Sequence, residues 1–150
     1  MKHNADVMMA YHQQSVARTA VISGTKKTNR AVLFGTAANS FRRCATSELC
    51  PAGKSRRYFK KAGDCFLEGG DASKAGDAFD LAGKWDEAAQ CYKQAKRFED
   101  LSRLLQRPEV GISPDLREEL QGLVRLYFVK QQNYMCVQTS PLVPVINLLP

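Results

Sequence analysis

The run Pro51-Ala-Gly53-Lys54-Ser55 has the residue types with which a chain cradles phosphate: a glycine, then a lysine and a hydroxyl. A complete phosphate loop needs a further glycine five residues before Gly53, where Glu48 stands. It also needs a buried strand leading in, whereas residues 40–49 are polar and helical in character. Without these no nest of backbone N–H groups is expected, and the run reads as a loop feeding a helix start. Gly24-Thr-Lys-Lys-Thr28 offers still less of the motif. Cys65 and Cys91 could form a ligand or redox pair, but a buried packing position explains them better, because free cysteine behaves as a small hydrophobe. Asp64, Asp71, Asp77, Asp80, Asp86 and Glu87 have no histidine partner and read as a solvated helix surface. No nucleophile–base pair or metal set is readable, so neither an enzyme nor a cofactor is expected.

The basic residues are the remaining chemistry. Residues 1–61 hold twelve Lys and Arg against two acids, Asp6 and Glu48, while the rest of the chain is slightly acidic. Lys26, Lys27, Arg30, Arg42, Arg43, Lys54, Arg56, Arg57, Lys60 and Lys61 could neutralise nucleic-acid phosphates, with binding that weakens steeply in salt. Tyr58 and Phe59 could add stacking, Phe59 in competition with a place in the core. The same charges could instead form a solvated face or meet an acidic partner.

Five cysteines (44, 50, 65, 91 and 136) without CxxC pairs, and two histidines distant from them in sequence, fit a reducing compartment, nucleus or cytoplasm. No apolar run of signal-peptide length follows Met1-Lys2-His3, although the acid-poor start shares features with transit peptides. No stretch approaches the apolar length of a membrane span.

The elements that must position these residues read as helices. Residues 1–25 form an N-terminal helical or poorly ordered segment, with 6–22 free of Gly and Pro and an irregular apolar stripe. Thr28 or Asn29 can cap a second helix to about Cys44, with Val32, Leu33, Ala37, Phe41 and Cys44 on one face. A third helix covers 54–67. Ser113 and Pro114 open a longer one that reaches about Gln132, with Leu116, Leu120, Leu123, Val124, Tyr127 and Phe128 inward. Residues 135–150, broken by Pro141, Pro144 and Pro150, read as a disordered tail.

Between them the chain repeats itself every thirteen residues. Ala62-Gly-Asp-Cys-Phe66, Ala75-Gly-Asp-Ala-Phe79, Ala88-Ala-Gln-Cys-Tyr92 and Leu101-Ser-Arg-Leu-Leu105 align, as do Gly70-Asp-Ala72, Gly83-Lys-Trp85 and Lys96-Arg-Phe98. In this alignment Cys65, Ala78, Cys91 and Leu104 are equivalent, which is the ground for a packing role of the cysteines. Thirteen residues make a helix of nearly three turns plus a tight turn. Gly70 and Gly83 stand where the chain leaves a helix. Ala62, Ala75 and Ala88 let neighbours approach, Phe66, Phe79 and Tyr92 fill the adjoining groove, and Trp85 and Phe98 plug helix starts. No such helix buries its stripe alone, so the expectation is an all-α, TPR-like solenoid of short antiparallel helices over residues 26–134, with less ordered termini.

Gly83-x-Trp85-x-x-Ala88-x-x-x-Tyr92-x-x-Ala95 resembles half of a tetratricopeptide repeat. The run Tyr58-Phe-Lys-Lys-Ala-Gly-Asp-Cys-Phe66, the Ala-Gly-Lys unit after it and Leu126-Tyr-Phe-Val-Lys130 resemble the helical-repeat region of fungal UvrD-like helicases and of TPR-and-ankyrin-repeat helicase-like proteins. The resemblance covers about residues 26–134. It implies a non-catalytic scaffold that binds a protein partner, as a fragment without the ATPase domain, whose motifs this chain does not carry. The alternative is an accessory nucleic-acid-binding element using residues 26–61.

Overall fold

The computed structural model describes residues 2–139, and these are all-α. Among the described residues there are seven helices and no strand: α1 Lys2–Ile22, α2 Lys27–Thr46, α3 Ser55–Glu68, α4 Ala72–Leu81, α5 Trp85–Gln94, α6 Phe98–Gln106 and α7 Pro114–Thr139. Helices adjacent in sequence pack together along the whole chain, and α5 also touches α7.

The first three helices alternate in direction. Ser55 Oγ donates to the Ala45 carbonyl (2.9 Å) at one end of the α2–α3 pair, and Arg30 Nε donates to the Glu68 carbonyl (3.1 Å) at the other. Helix α1 runs alongside α3, with His3 edge-on to Tyr58 and Arg18 paired to Glu68 (2.7 Å). Its contact with α2 is made by small residues, since Ala10 and Ala17 are fully buried, and by Tyr11 set edge-on to Phe41 at 5.0 Å. A seam of two alanines one heptad apart explains why its apolar stripe looks irregular in the sequence.

The thirteen-residue period is a period of hydrogen bonds. At the end of α3 the Asp71 N–H donates to the Phe66 carbonyl and Gly70 N–H to Leu67. After α4 Lys84 and Gly83 donate to Phe79 and Asp80, and after α5 Arg97 and Lys96 donate to Tyr92 and Lys93. This is the Schellman pairing, which needs a left-handed residue just past the helix end. Gly70 (φ 87°) and Gly83 (φ 72°) supply it, and Lys96 (φ 58°) takes the same conformation with a side chain. Asp71, Lys84 and Arg97 each close one helix and open the next, their carbonyls accepting from Ala75, Ala88 and Leu101. Only Asp71 adds a side-chain cap, to the Lys74 N–H at 3.0 Å.

A left-handed backbone costs a side-chain-bearing residue about 1–2 kcal/mol. Glycine's larger entropy in the unfolded chain takes back about 0.5–1 kcal/mol. Lys96→Gly is therefore expected to stabilise by up to about 1.5 kcal/mol, read as a higher urea midpoint with an unchanged slope.

Packing across the units follows a second rule, absent from the sequence reading. A Cβ added to Gly63 would lie 2.8 Å from the Phe79 ring, and one added to Gly76 would lie 2.8 Å from the Tyr92 ring. Each glycine, mid-helix, is a seat for the aromatic ring of the next helix. Ala62, Ala75 and Ala88 beside these seats are fully buried, as are Cys65 and Phe66 to within 2%.

The structure differs from the sequence expectation at several boundaries. The N-cap of α2 is Lys26, so Thr28 and Asn29 lie in its first turn, because α1 ends at a left-handed Gly24 and the chain re-enters helix directly. Val32 points outward at 68% exposure, whereas Phe34 is buried, since α2 is packed between α1 and α3 and its covered arc runs Phe34, Ala37, Ala38, Phe41, Cys44, Ala45. Helix α7 begins at Pro114, as the Ser113-Pro114 pair predicts, and continues past Gln132 to Thr139, no Gly or Pro intervening after Gly122. The tail expected from 135 thus starts as helix, and residues 140–150 lie outside the described residues.

Candidate binding surfaces

Helices α4 and α6 border a groove of about 420 Å³ lined by Asp77, Asp80, Tyr92, Arg97, Asp100, Arg103, Leu104 and Arg107. Its centre is Arg97, whose backbone is held by the turn described above and whose guanidinium reaches back across α5. Arg97 Nη1 donates to Asp77 Oδ1 (2.9 Å) and to the carbonyl and hydroxyl of Ser73 (3.1 and 3.2 Å), and its Nε donates to Asp100 (2.6 Å). The same guanidinium lies over the Tyr92 ring, 5.0 Å from its centroid. Tyr92 Oη donates to Asp77 Oδ1 at 3.0 Å. Burial, then the facing Asp77 carboxylate, pushes the Tyr92 phenol well above its ordinary range, so it stays a donor. Arg107 pairs with Asp80 and Arg103 with Asp100.

These acids were expected on a solvated face, yet Asp77 and Asp80 anchor α6 to α4. One trace of this lies in the repeat itself, where the ring position changes from Phe79 to Tyr92 opposite an aspartate. A hydroxyl buried there needs an acceptor.

The cysteines of the repeat, Cys65 and Cys91, are buried, and burial pushes their thiols up from 9.0 to about 12 and about 11. Cys44 is raised for the same reason. The unfolded chain therefore ionises above about pH 9 while the folded chain keeps these protons. Their contribution to stability is full below pH 9 and is lost as pH rises through about 12. A thiol reagent at neutral pH is expected to modify exposed Cys136 and half-buried Cys50 in the native chain, and Cys44, Cys65 and Cys91 only on unfolding. Equal rates at all five would contradict this burial.

Trp85, the first residue of α5, lies against Gly111 in the loop before α7, and Phe98, the first of α6, stacks on Tyr127 at 4.7 Å. Both are half-buried against the core, while Ala75, Phe79, Ala88, Cys91 and Tyr92 are buried within it.

The basic residues divide. Lys26, Lys27 and Arg30 stand at the start of α2, with Arg30 held on the Glu68 carbonyl. Arg42 and Arg43 stand in the last two turns of α2, about 24 Å away along a helix rising 1.5 Å per residue. Lys54, Arg56 and Arg57 join them at the start of α3. Lys60 pairs with Asp64 (3.1 Å), and Lys61 lies over the Tyr11 ring. Tyr58 is 7% exposed and Phe59 packs against the core, so neither ring is free to stack on a base. Gly53-Lys54-Ser55 leads into α3 from a link, residues 47–54, that follows helix α2 rather than a strand, and the Ser55 hydroxyl is spent on Ala45.

Among the described residues no three of His, Cys, Asp and Glu converge as a metal-ligand set, and no helix is long and apolar enough to cross a membrane. Comparison with protein-family models, curated proteins and solved structures gives no match to this chain.

Proposed function

We propose that the chain is a non-catalytic helical-repeat scaffold, a short solenoid that binds a segment of a protein partner in the groove between α4 and α6. The observation that carries this reading is the recurrence of the same turn and the same ring seat at thirteen-residue spacing. Such a unit has no closed core of its own and acquires one only by stacking, which leaves a continuous groove along the stack. In the groove Arg103 is 75% exposed at its side chain and Asp77 51%, so both keep capacity for a visiting backbone or side chain. The wider proposal, from the resemblance of residues 26–134, is that this array belongs with the solenoids of UvrD-like helicase-related proteins inside the cell, in nucleus or cytoplasm.

Peptide display against the folded chain tests the first part. Selected peptides are expected to lose binding with Arg103→Glu and to keep it with Glu118→Arg, an exposed α7 residue that does not line the groove. Binding indifferent to Arg103, or selection of no peptide at all, refutes the groove as the site. ATPase motifs encoded in frame beside this sequence would support the wider proposal, and an unrelated neighbouring domain would remove it.

A further inference from the structure

We infer that the α2–α3 end of the molecule is a docking surface for the phosphate backbone of nucleic acid, read by charge and without base recognition. Three observations bring this about. Arg42, Arg43, Lys54, Arg56 and Arg57 are all exposed. They are gathered at one end, because α2 and α3 are antiparallel and the Ser55–Ala45 bond ties the end of one to the start of the other. Packed helices lie about 8–10 Å apart, which is about two to three times the 3.4 Å rise per phosphate of one strand, so neighbouring cations of the two helix ends can meet different phosphates of one duplex.

Their charge is also uncompensated. Among the described residues none of the five has a carboxylate oxygen within 4.0 Å, whereas Arg18, Lys60, Lys74, Lys93, Arg97, Arg103 and Arg107 are paired. The acids at this end are Asp6 and Glu48, which border a groove with Lys2 and Arg43. Six cations against two carboxylates leave this end positive, while the opposite end of α2 and α3 is moderated by Glu68 and Asp71.

The surface between the cations decides the kind of partner. The link between α2 and α3 exposes the small residues Thr46, Ala52 and Gly53, which let a polyanion come close, with Ser47 and Ser55 half-buried and Glu48 and Leu49 turned to the groove on the α1 side. A protein hot spot would be built on aromatic anchors in pockets, and the rings nearby, Tyr11, Phe41, Tyr58 and Phe59, are committed to the core. The exposed apolar side chains nearby, Leu49 and Met9, lie in the groove on the α1 side. With no ring to stack on bases, recognition falls to phosphates alone, and a duplex, with its higher charge density, suits the patch better than a single strand.

The test is fluorescence anisotropy of the full chain with a labelled 20-base-pair duplex and a 20-nucleotide single strand of two different sequences. Affinity is expected to fall about 10²–10³-fold between 50 and 200 mM salt, because four to five neutralised phosphates contribute about 0.9 each to the logarithmic slope. Base sequence is expected to have no effect. Arg42→Ala/Arg43→Ala/Arg56→Ala/Arg57→Ala should lower that slope by about 4 and the low-salt affinity more than tenfold. The corresponding four Arg→Lys changes should restore both, which separates loss of charge from loss of fold. Lys84→Ala/Arg125→Ala/Lys130→Ala, removing exposed cations elsewhere, should bind as the unmodified chain does. The inference is overturned by no binding at 50 mM salt or by equal loss in the Lys84/Arg125/Lys130 variant. It is equally overturned if polyglutamate or phosphatidylserine vesicles displace the duplex at equal charge concentration, which would assign the patch to an acidic protein or a lipid surface.

Discussion

Phe79→Ala is expected to destabilise the chain by about 3–5 kcal/mol, the cost of truncating a buried aromatic side chain and leaving its space behind. Phe79 is 2% exposed, and its ring lies on Gly63 of the preceding helix. Glycine has no side chain to move into the vacated trough. The helices cannot close over it either, because three-residue turns with paired hydrogen bonds fix the ends of α3 and α4. Both conditions favour the upper part of the range, since the cost of such a change depends on how far a site can collapse. Urea unfolding followed by circular dichroism measures it. A loss under about 1 kcal/mol, within the reach of surface substitutions, would sink the packing scheme for the entire repeat.

Substituting the seat itself should also be costly, and here local propensity predicts the wrong sign. Gly76 is in the middle of α4, where almost any other residue is a better helix former. Gly76→Val is nevertheless expected to lose about 2–3 kcal/mol by overpacking. The new Cβ would meet Tyr92 ring atoms at 2.8 Å. That ring cannot swing aside, since its hydroxyl is bonded to Asp77 and the Arg97 guanidinium covers its face. Gly122→Val is the internal comparison: nothing lies within 4 Å of a Cβ built there, and the change should stay within about 0.5 kcal/mol. In a Tyr92→Ala background the penalty at Gly76 should vanish, a coupling that a double-mutant cycle reads directly. Equal effects at Gly76 and Gly122 would mean that the ring seat does not exist.

These two cases show where the sequence was legible. The all-α class, the thirteen-residue period and the glycine exits at Gly70 and Gly83 could be read because each rests on residues close together in the chain. That Gly63 and Gly76 recur was visible in the alignment. What they receive was not, because the ring comes from sixteen residues further on and an isolated helix would only pay for the glycine. The α2 face was misread for a related reason. A helix covered by two neighbours buries a broad arc, and an arc made largely of alanine leaves a weak apolar pattern. At the candidate surfaces, the basic residues were evident from composition, but their division between two ends depended on the antiparallel packing of α2 and α3. The Arg97 network was hidden because its partners, Ser73, Asp77 and Asp100, come from two different helices.

Since Asp71, Lys84 and Arg97 each terminate one helix and initiate the next, there is no slack between units to take up a pull on the ends. Tension is therefore carried by helix–helix contacts, and a thirteen-residue unit that lets go can span up to about 45 Å when fully extended. The ties from Arg97 and Arg107 back to α4 bind α4, α5 and α6 into one yielding element. The Arg97 clasp thus makes three coils of the array yield together rather than one at a time.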